Sequence, residues 1–153
     1  MKDKKIKILA IASIGGHWKQ LLRIVSPNFT DIETVYVSTH PKCAAMVEGH
    51  TYYTVSDFSR WDFYKSAPLF LQAIRIIRNE SPDTVITTGA APGLIFLLIA
   101  KLSGKKTIWV DSAANVLHLS MSGRIASKFA SQVYTQWEEL LNAKILFAGN
   151  VLD

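Results

Sequence analysis

The chain has 153 residues, a formal net charge of +5 and a single cysteine, Cys43. A chain of this length is most simply one domain over residues 1–153, with a core large enough to fold without a disulfide or a structural metal. One cysteine excludes an internal disulfide and a cysteine-rich zinc site, and mild basic charge without an arginine-rich run favours a phosphate-bearing ligand or an anionic membrane over nucleic acid.

Strand and helix patterns alternate along the sequence, which predicts an α/β fold with a Rossmann-like parallel sheet and helices on both faces. The predicted strands are residues 5–12, 33–38, 51–55, 84–88, 107–110 and 132–135. The predicted helices are residues 17–25, 41–47, 68–79, 92–103, 123–130 and 138–142, and a further apolar run occupies 144–147.

Two of these helices are rich in apolar residues. Helix 68–79 has a broad apolar face, and helix 92–103 is apolar nearly all round. Burial in the core accounts for such helices, and so does contact with lipid or with a partner chain. The candidate membrane or partner contacts are Phe70, Arg75, Arg78, Phe96, Leu97 and Lys101. The apolar stretch around 94–100 is shorter than the roughly 18 to 20 residues that span a bilayer, so any membrane contact is expected to be peripheral.

A turn of sequence Ser13-Ile14-Gly15-Gly16-His17 joins the first strand to the first helix. Such a turn brings backbone N–H groups to a helix N-terminus, where the peptide dipoles favour an anion such as phosphate. An ordinary tight turn is the alternative interpretation. The nucleotide-binding patterns GxGxxG and GxxxxGK[ST] are absent, so the sequence does not support NAD or ordinary ATP binding and predicts no cofactor and no metal.

Three other predicted strands also end on polar residues. These ends are Thr87-Thr88-Gly89-Ala90, Asp111-Ser112 and Gln136-Trp137. Each alone has a plain interpretation as a turn, a cap or a core residue. Ligands of open parallel sheets bind outside the carboxyl ends of the strands, so four such ends together predict one ligand cleft.

These residues carry a family resemblance. The segments concerned are 13–21, 111–112, 119–124 and 136–140. They resemble the membrane-recruiting subunits of split glycosyltransferases, whose eukaryotic member is asparagine-linked glycosylation protein fourteen and whose bacterial relatives act in capsule and exopolysaccharide assembly. The spacing is also similar to the amino-terminal half of the peptidoglycan transferase that makes lipid II.

The resemblance implies the amino-terminal half of a GT-B glycosyltransferase, which binds a lipid-linked acceptor while a second chain holds the UDP-sugar donor. Gly15, Gly16 and His17 match the acceptor-side glycine loop, and Thr88 and Gly89 match a second such loop. Two further residues, Asp111 and Ser112, fall where the family usually has Glu-Ser. The implied phosphate-binding residues are Ser13, Gly15, Gly16, Thr88, Gly89 and Ser112.

Two features depart from the family pattern. The eukaryotic subunits carry an amino-terminal membrane span, which is not found here, and Asn115 stands where relatives tend to have an arginine. Membrane attachment would then depend on the apolar helices or on the partner. The binding of the acceptor diphosphate would also differ in detail from that in the relatives.

The sequence-based hypothesis is a subunit of a two-chain, UDP-sugar-dependent inverting glycosyltransferase of cell-surface polysaccharide assembly, inactive alone. It would bind a lipid-diphosphate-sugar acceptor at the cytoplasmic membrane face and recruit a donor-binding partner as a heterodimer. Either His17 or Asp111 would take the proton of the attacking hydroxyl. The alternatives are a non-catalytic membrane scaffold and an independent small nucleotide-binding enzyme.

Overall fold

The computed structural model describes residues 4–58 and 60–152. These residues contain seven strands, which are β1 Ile6–Ile11, β2 Ile32–Ser38, β3 Thr51–Thr54, β4 Thr84–Thr87, β5 Lys106–Val110, β6 Gln132–Thr135 and β7 Ile145–Phe147. All seven belong to one sheet in the order β3-β2-β1-β4-β5-β6-β7, and every neighbouring pair runs parallel. The predicted α/β fold with a Rossmann-like parallel sheet is confirmed.

Four α-helices connect the strands: α1 Gly16–Ile24, α2 Ser66–Glu80, α3 Ala90–Leu102 and α4 Met121–Ala126. Short 3₁₀ helices occupy Pro41–Val47, Arg60–Lys65 and Glu138–Leu140. The largest shift from prediction is α4, which was expected at 123–130. It begins earlier because the Ser120 side chain accepts a hydrogen bond from the Gly123 N–H at 2.9 Å and so caps the helix.

The strand order reverses between β1 and β4. Strands β2 and β3 lie in succession on one side of β1, and the chain then crosses back to place β4 on the other side of β1. Ile11 and Thr87, the last residues of these two strands, are register partners, so the loops that follow them are neighbours. This position, outside the carboxyl ends at a reversal of strand order, is where α/β sheets bind ligands.

One face of the sheet is covered by α2, α3 and α4. The side chains of Phe96 and Leu97 are completely buried there, so the prediction that they contact a membrane or a partner is wrong. Because α3 packs against both the sheet and α2, most of its apolar residues are buried or partly buried. Within the described ranges, no helix is long and apolar enough to cross a bilayer.

The opposite face is covered only in part. Trp18 and Leu21 of α1 and the 3₁₀ helix Pro41–Val47 form a second core with β1, β2 and β3. The connections after β4 place α3 and α4 on the first face, as right-handed crossovers require. On the second face α1 covers part of β4 and β5, where Ile86 and Val110 are buried, and no further α-helix of the described chain covers the rest of β5 and β6.

A charged cluster lies at the amino-terminal end of the strands, away from the loops described above. Lys7 of β1 contacts Glu80 at 2.8 Å and Glu33 at 3.3 Å, and the Tyr53 hydroxyl donates to Glu80. Hydrogen bonding to Glu80 raises the pKa of Lys7 despite partial burial. Burial alone would raise the pKa of Glu80, but the hydrogen bonds from Lys7 and Tyr53 outweigh it and lower that pKa.

Candidate functional site

A cavity of about 320 Å³ lies at the carboxyl ends of β4 and β5, beside the start of α1. Its lining comprises His17, Thr88, Gly89, Ala90, Asp111, Ser112, Ala114, Asn115, Ser120, Met121 and Ser122. Five of the residues predicted from the sequence are brought together here: His17, Thr88, Gly89, Asp111 and Ser112. The position is the one that the reversal of strand order favours for a ligand.

His17 and Thr88 are joined by two hydrogen bonds. The His17 Nδ1 atom lies 3.1 Å from the Thr88 carbonyl oxygen, and the Thr88 hydroxyl donates to the His17 carbonyl at 2.6 Å. A carbonyl only accepts, so Nδ1 carries the proton, and in the neutral ring Nε2 is an acceptor. No residue that the structure describes makes a hydrogen bond to Nε2. The fully buried Thr88 hydroxyl is used to hold His17 and is not offered to a ligand.

The backbone that follows β4 approaches the His17 ring closely. A Cβ atom at Gly89 would lie 2.8 Å from both Cε1 and Nδ1 of His17, and Gly89 has a φ of +137°. The next residue, Ala90, has a φ of +67°, a left-handed conformation that costs a non-glycine residue about 1–2 kcal/mol. Strain of this kind persists where the surrounding fold fixes the backbone, and it concentrates at functional sites.

Two helices begin at this end of the sheet without a side-chain cap. Gly15 precedes α1 and Gly89 precedes α3, and neither helix has an acidic residue in its first turn. First-turn N–H groups lack a partner within their own helix, and the helix dipole adds partial positive charge. The start of each helix can therefore receive an anion.

Asp111 is almost entirely buried, and both of its carboxylate oxygens are occupied. Oδ1 accepts from Trp109 Nε1 at 3.0 Å and from the Ser120 hydroxyl at 2.6 Å, while Oδ2 accepts from the Ser120 N–H at 2.9 Å. A Cβ at Gly123 would fall 2.6 Å from Oδ1, so α4 approaches closely only because this residue is glycine. Asp111 thus fixes the loop before α4, and of the two predicted bases His17 has the freer acceptor atom.

Three predicted phosphate-binding residues do not line the cavity. Ser13 is buried at the end of β1, while Gly15 and Gly16 are exposed at the start of α1. The side chains of Arg75, Arg78 and Lys101 are exposed on α2 and α3, and Phe70 is half-buried against the core. Of the six predicted membrane or partner contacts, the three cations are therefore accessible from outside the domain, whereas Phe96 and Leu97 are not.

Sequence reasoning missed the role of Gln20. Its Oε1 accepts from Gln136 Nε2 at 2.8 Å and from the Ala113 N–H at 3.2 Å, and its Nε2 donates to the Ser112 hydroxyl at 3.2 Å. Gln20 lies in the segment 13–21 that carries the family resemblance, but no pattern in the sequence predicts its contacts with distant strands. The contact connects positions 116 residues apart in the chain.

A second cavity, of about 870 Å³, lies beside α1 over the part of β4, β5 and β6 that this helix does not cover. We call it the open groove. Its floor and walls are formed by Ile86, Ile108, Val110, Tyr134, Thr135, Gln136, Arg23, Ile24 and residues 148–152. Arg23 Nη1 donates to the Val151 carbonyl at 2.6 Å, which fastens the 148–152 segment to α1. Parallel sheets are normally covered on both faces, so an apolar floor of this kind is unusual.

The sequence matches the model of one protein family. The family is described as "Oligosaccharide biosynthesis protein Alg14 like", and the match covers residues 55–150. This region includes Thr88, Gly89, Asp111, Ser112 and Gln136, which are all at or beside the cavity. It contains β4 to β7 and all three α-helices of the first face, α2, α3 and α4.

Curated relatives include enzymes of two kinds. The UDP-N-acetylglucosamine transferase subunit ALG14 of Yarrowia lipolytica is 26% identical, over 91% of this chain and 77% of that protein. A UDP-N-acetylglucosamine–N-acetylmuramyl-(pentapeptide) pyrophosphoryl-undecaprenol N-acetylglucosamine transferase of Chlorobaculum tepidum is 35% identical over 51% of this chain. That match spans 20% of the transferase, so only a part of the bacterial relative corresponds to this chain.

Solved structures show the same fold. MurG of Acinetobacter baumannii superposes with a TM-score of 0.74 at 14% identity, over 94% of this chain and 45% of that one. The UDP-GlcNAc 2-epimerase of Methanocaldococcus jannaschii gives a TM-score of 0.71 at 14% identity, over 95% and 46% of the two chains. The domain therefore has the fold of the amino-terminal half of a GT-B glycosyltransferase, as expected, and spans less than half of these chains.

Proposed function

Because the chain belongs to the Alg14-like family of oligosaccharide biosynthesis proteins, we propose that it is the acceptor-binding subunit of a two-chain, UDP-sugar-dependent glycosyltransferase. The acceptor is a sugar on a lipid diphosphate, and the product enters a cell-surface polysaccharide. The observation that carries the proposal is the cavity beside two uncapped helix starts, with the Nε2 atom of His17 free to accept a proton.

The acceptor diphosphate is assigned to the two helix starts. The N–H groups that follow Gly15 and Gly89 supply donors and partial positive charge, and the cavity beside them is lined by His17 and Ser112. No acidic side chain stands in the first turn of either helix to compete with phosphate. In this arrangement Thr88 contributes through its backbone and through its hold on His17, while its hydroxyl does not touch phosphate.

His17 is assigned as the base of a single inverting displacement. The acceptor hydroxyl oxygen forms a bond to the anomeric carbon of the donor sugar while the bond from that carbon to the UDP oxygen breaks. The hydroxyl proton passes to Nε2 of His17, and UDP leaves with the bonding electrons. The Thr88 carbonyl accepts from Nδ1–H throughout, so it stabilises the ring in the tautomer required and in the cation that forms.

The open groove is assigned to the donor-binding partner. Its floor presents the partly exposed side chains of Ile108 and Tyr134 beside the buried Ile86, which suits an apolar helix or strand of a partner. Solved GT-B relatives have about as much chain again beyond the part that this protein covers. A partner that supplies the remaining half would cover the groove and bring the donor sugar to the cavity.

Peripheral membrane contact is assigned to the surface formed by residues 116–128. Leu117 is 86% exposed, and Val116, Met121 and Ile125 are exposed beside it. The surrounding stretch 112–137 contains Arg124 and Lys128 but no aspartate or glutamate. Exposed apolar residues flanked by cations fit the surface of an anionic bilayer, and their place at the rim of the cavity suits a lipid-borne acceptor.

The proposal is tested by expressing the chain together with its donor-binding partner and assaying transfer from a panel of UDP-sugars to a lipid-pyrophosphoryl sugar. The pair is expected to transfer one sugar, and the chain alone none. His17→Ala is expected to lower kcat by about 10²–10⁴-fold, the usual contribution of a general base. Unchanged transfer by the His17→Ala pair would refute the role of His17.

The same assay separates the alternatives. Transfer that falls only when the open groove is altered would make the chain a non-catalytic scaffold. Turnover by the purified chain alone would make it an independent enzyme.

The membrane surface is tested by cosedimentation with phosphatidylglycerol vesicles at low salt. Leu117→Ser is expected to reduce the bound fraction, while the matched change Leu71→Ser on exposed α2 leaves it unaltered. The reverse result would assign the membrane contact to α2.

A further inference from the structure

We propose that Gln20 and Gln136 are positioning residues that hold Ser112 in the cavity and couple its place to the segment 148–152 of the open groove. The inference rests on the proposed function, in which Ser112 faces the acceptor diphosphate. Neither glutamine touches the ligand in this proposal. Both act through Ser112 and the backbone that follows it.

Gln136 is a buried junction between three parts of the fold. Its Nε2 donates both hydrogens, one to Gln20 Oε1 at 2.8 Å and one to the Asp111 carbonyl at 2.9 Å. Its Oε1 accepts from the Val151 N–H at 3.0 Å, and its carbonyl accepts from Asn150 Nδ2 at 2.9 Å. With 3% of its surface exposed, it has no access to water that could replace these partners.

Gln20 extends the junction to the cavity. It donates to the Ser112 hydroxyl and accepts from the Ala113 N–H, so it sets both the side chain and the backbone at the end of β5. Ser112 in turn accepts from the Ala114 N–H at 3.2 Å. A continuous path of hydrogen bonds therefore runs from Val151 in the groove wall to a residue that lines the cavity.

The amide of Gln136 faces two acceptors with its nitrogen and one donor with its oxygen, and a carboxyl group of the same shape cannot satisfy all three. A glutamate would retain the oxygen that accepts from Val151, but its second oxygen would face the Asp111 carbonyl and Gln20 Oε1, which are acceptors. When protonated, a carboxyl donates one hydrogen bond, and when ionised it donates none. A Gln136→Glu chain should therefore lose its hold on Ser112 as the pH rises.

The experiment measures binding of inorganic pyrophosphate to the full chain by calorimetry, at pH 5.5 and pH 8. Gln136→Glu is expected to bind about tenfold more weakly than wild type at pH 8, with a smaller loss at pH 5.5. Gln136→Met, which keeps the shape without any hydrogen bond, should lose about the same amount at both pH values. The matched control Gln132→Glu, at the other end of β6, should bind like wild type.

A double-mutant comparison separates positioning from general damage. Gln20→Met is expected to weaken pyrophosphate binding about tenfold in the wild-type background and by a smaller factor in the Ser112→Ala background, where only its hydrogen bond with the Ala113 backbone is left to lose. In the transfer assay the same variants should raise KM for the acceptor and leave KM for the UDP-sugar unchanged. Thermal unfolding verifies that each variant is folded at the assay temperature.

Unaltered pyrophosphate affinity in folded Gln136→Glu and Gln136→Met would overturn the inference. So would equal weakening by Gln132→Glu, additive effects of Gln20→Met and Ser112→Ala, or absence of pyrophosphate binding by the wild-type chain. Failure of the wild-type pair to transfer any sugar, with the pyrophosphate results as expected, would reject the proposed function and leave this inference standing.

Discussion

His17 and Thr88 hold each other through reciprocal hydrogen bonds, each donating from a side chain to the other's carbonyl oxygen. The two residues lie 71 positions apart in the chain and follow the two strands at which the sheet order reverses. The pair therefore fixes the imidazole to the sheet and joins the first helix to the loop after β4.

Thr88→Val removes one of these two bonds and keeps the shape of the side chain. The partly buried His17 carbonyl then loses the hydrogen bond from the Thr88 hydroxyl, which should destabilise the fold by about 1 kcal/mol. We expect kcat for sugar transfer to fall about tenfold, because the backbone that carries the ring is held less firmly, although the bond from Nδ1–H to the carbonyl of residue 88 remains. Thr88→Ser keeps the hydroxyl and should stay within about threefold of wild type. Equal activity of Thr88→Val and wild type would show that His17 needs no such support.

Gly89→Ala places a methyl group where the His17 ring lies. The ring must move, and a displacement of about 1 Å is enough to lower the rate about 100-fold. Gly104→Ala is the matched control, since Gly104 also has a positive φ but has open space around it. Gly104→Ala should lose about 1 kcal/mol of stability to backbone strain and keep transfer, whereas Gly89→Ala should lose more stability, because it also crowds the His17 ring, and should lose transfer. Steady-state kinetics with urea unfolding of both variants measures the difference.

Asp111→Asn replaces an oxygen that accepts hydrogen bonds with an amide that donates them. Oδ1 and Oδ2 together accept from three donors. In either orientation, the amide NH₂ of asparagine would therefore face at least one of these donors instead of accepting from it. We expect the free energy of unfolding to fall by about 3 kcal/mol in urea titrations. Gly123→Ala crowds the same carboxylate and should give a loss of similar size. A fully stable Asp111→Asn variant without transfer would instead make Asp111 a direct participant in the reaction.

Ile108→Glu places a charge on the floor of the open groove. In the chain alone this position is partly exposed, so folding should be little affected. Docking of an apolar partner surface would bury the charge, and copurification of the partner should be lost. Leu102→Glu, on an exposed residue at the end of α3, provides the control and should copurify normally. Normal copurification of both variants would place the partner elsewhere.

Glu80→Gln tests the charged cluster at the opposite end of the strands. The lowered pKa of Glu80 means that its carboxylate stabilises the fold fully above its ordinary value of 4.5, and that this contribution is lost as the pH falls through the folded-state pKa. We expect Glu80→Gln to lower stability by about 1 kcal/mol at pH 7 and to converge with wild type in acid. Glu33→Gln, at the more exposed partner of Lys7, should have a smaller effect. Both should transfer sugar normally at pH 7.

Local sequence patterns were sufficient to predict most of the elements. The helix at Pro41–Val47 and strand β6 have the bounds that were predicted, because proline, glycine and β-branched residues mark them. Strand β7 was not recognised, since a three-residue run acquires its character only from pairing with β6. The burial of Phe96 and Leu97 depends on how α3 packs against α2 and the sheet, which the apolar pattern of the helix alone does not reveal.

The candidate site was predicted less completely than the fold. The ends of strands indicated His17, Thr88 and Asp111, but how each side chain is used depends on contacts between distant segments. The hydroxyl of Thr88 and the carboxylate of Asp111 are both engaged inside the protein. A propensity or a motif cannot anticipate such use, because it reports only the neighbours along the chain.

The separation of 71 residues between His17 and Thr88 also has a consequence for synthesis. At the usual 5–20 residues per second, Thr88 leaves the ribosome roughly 4 to 14 s after His17. During that interval β1, β2 and β3 can pair with one another, but the cavity has only one of its walls. Ligand binding by the nascent chain should therefore begin only after β4, β5 and the loop before α4 have joined the sheet, because residues up to Ser122 line the cavity.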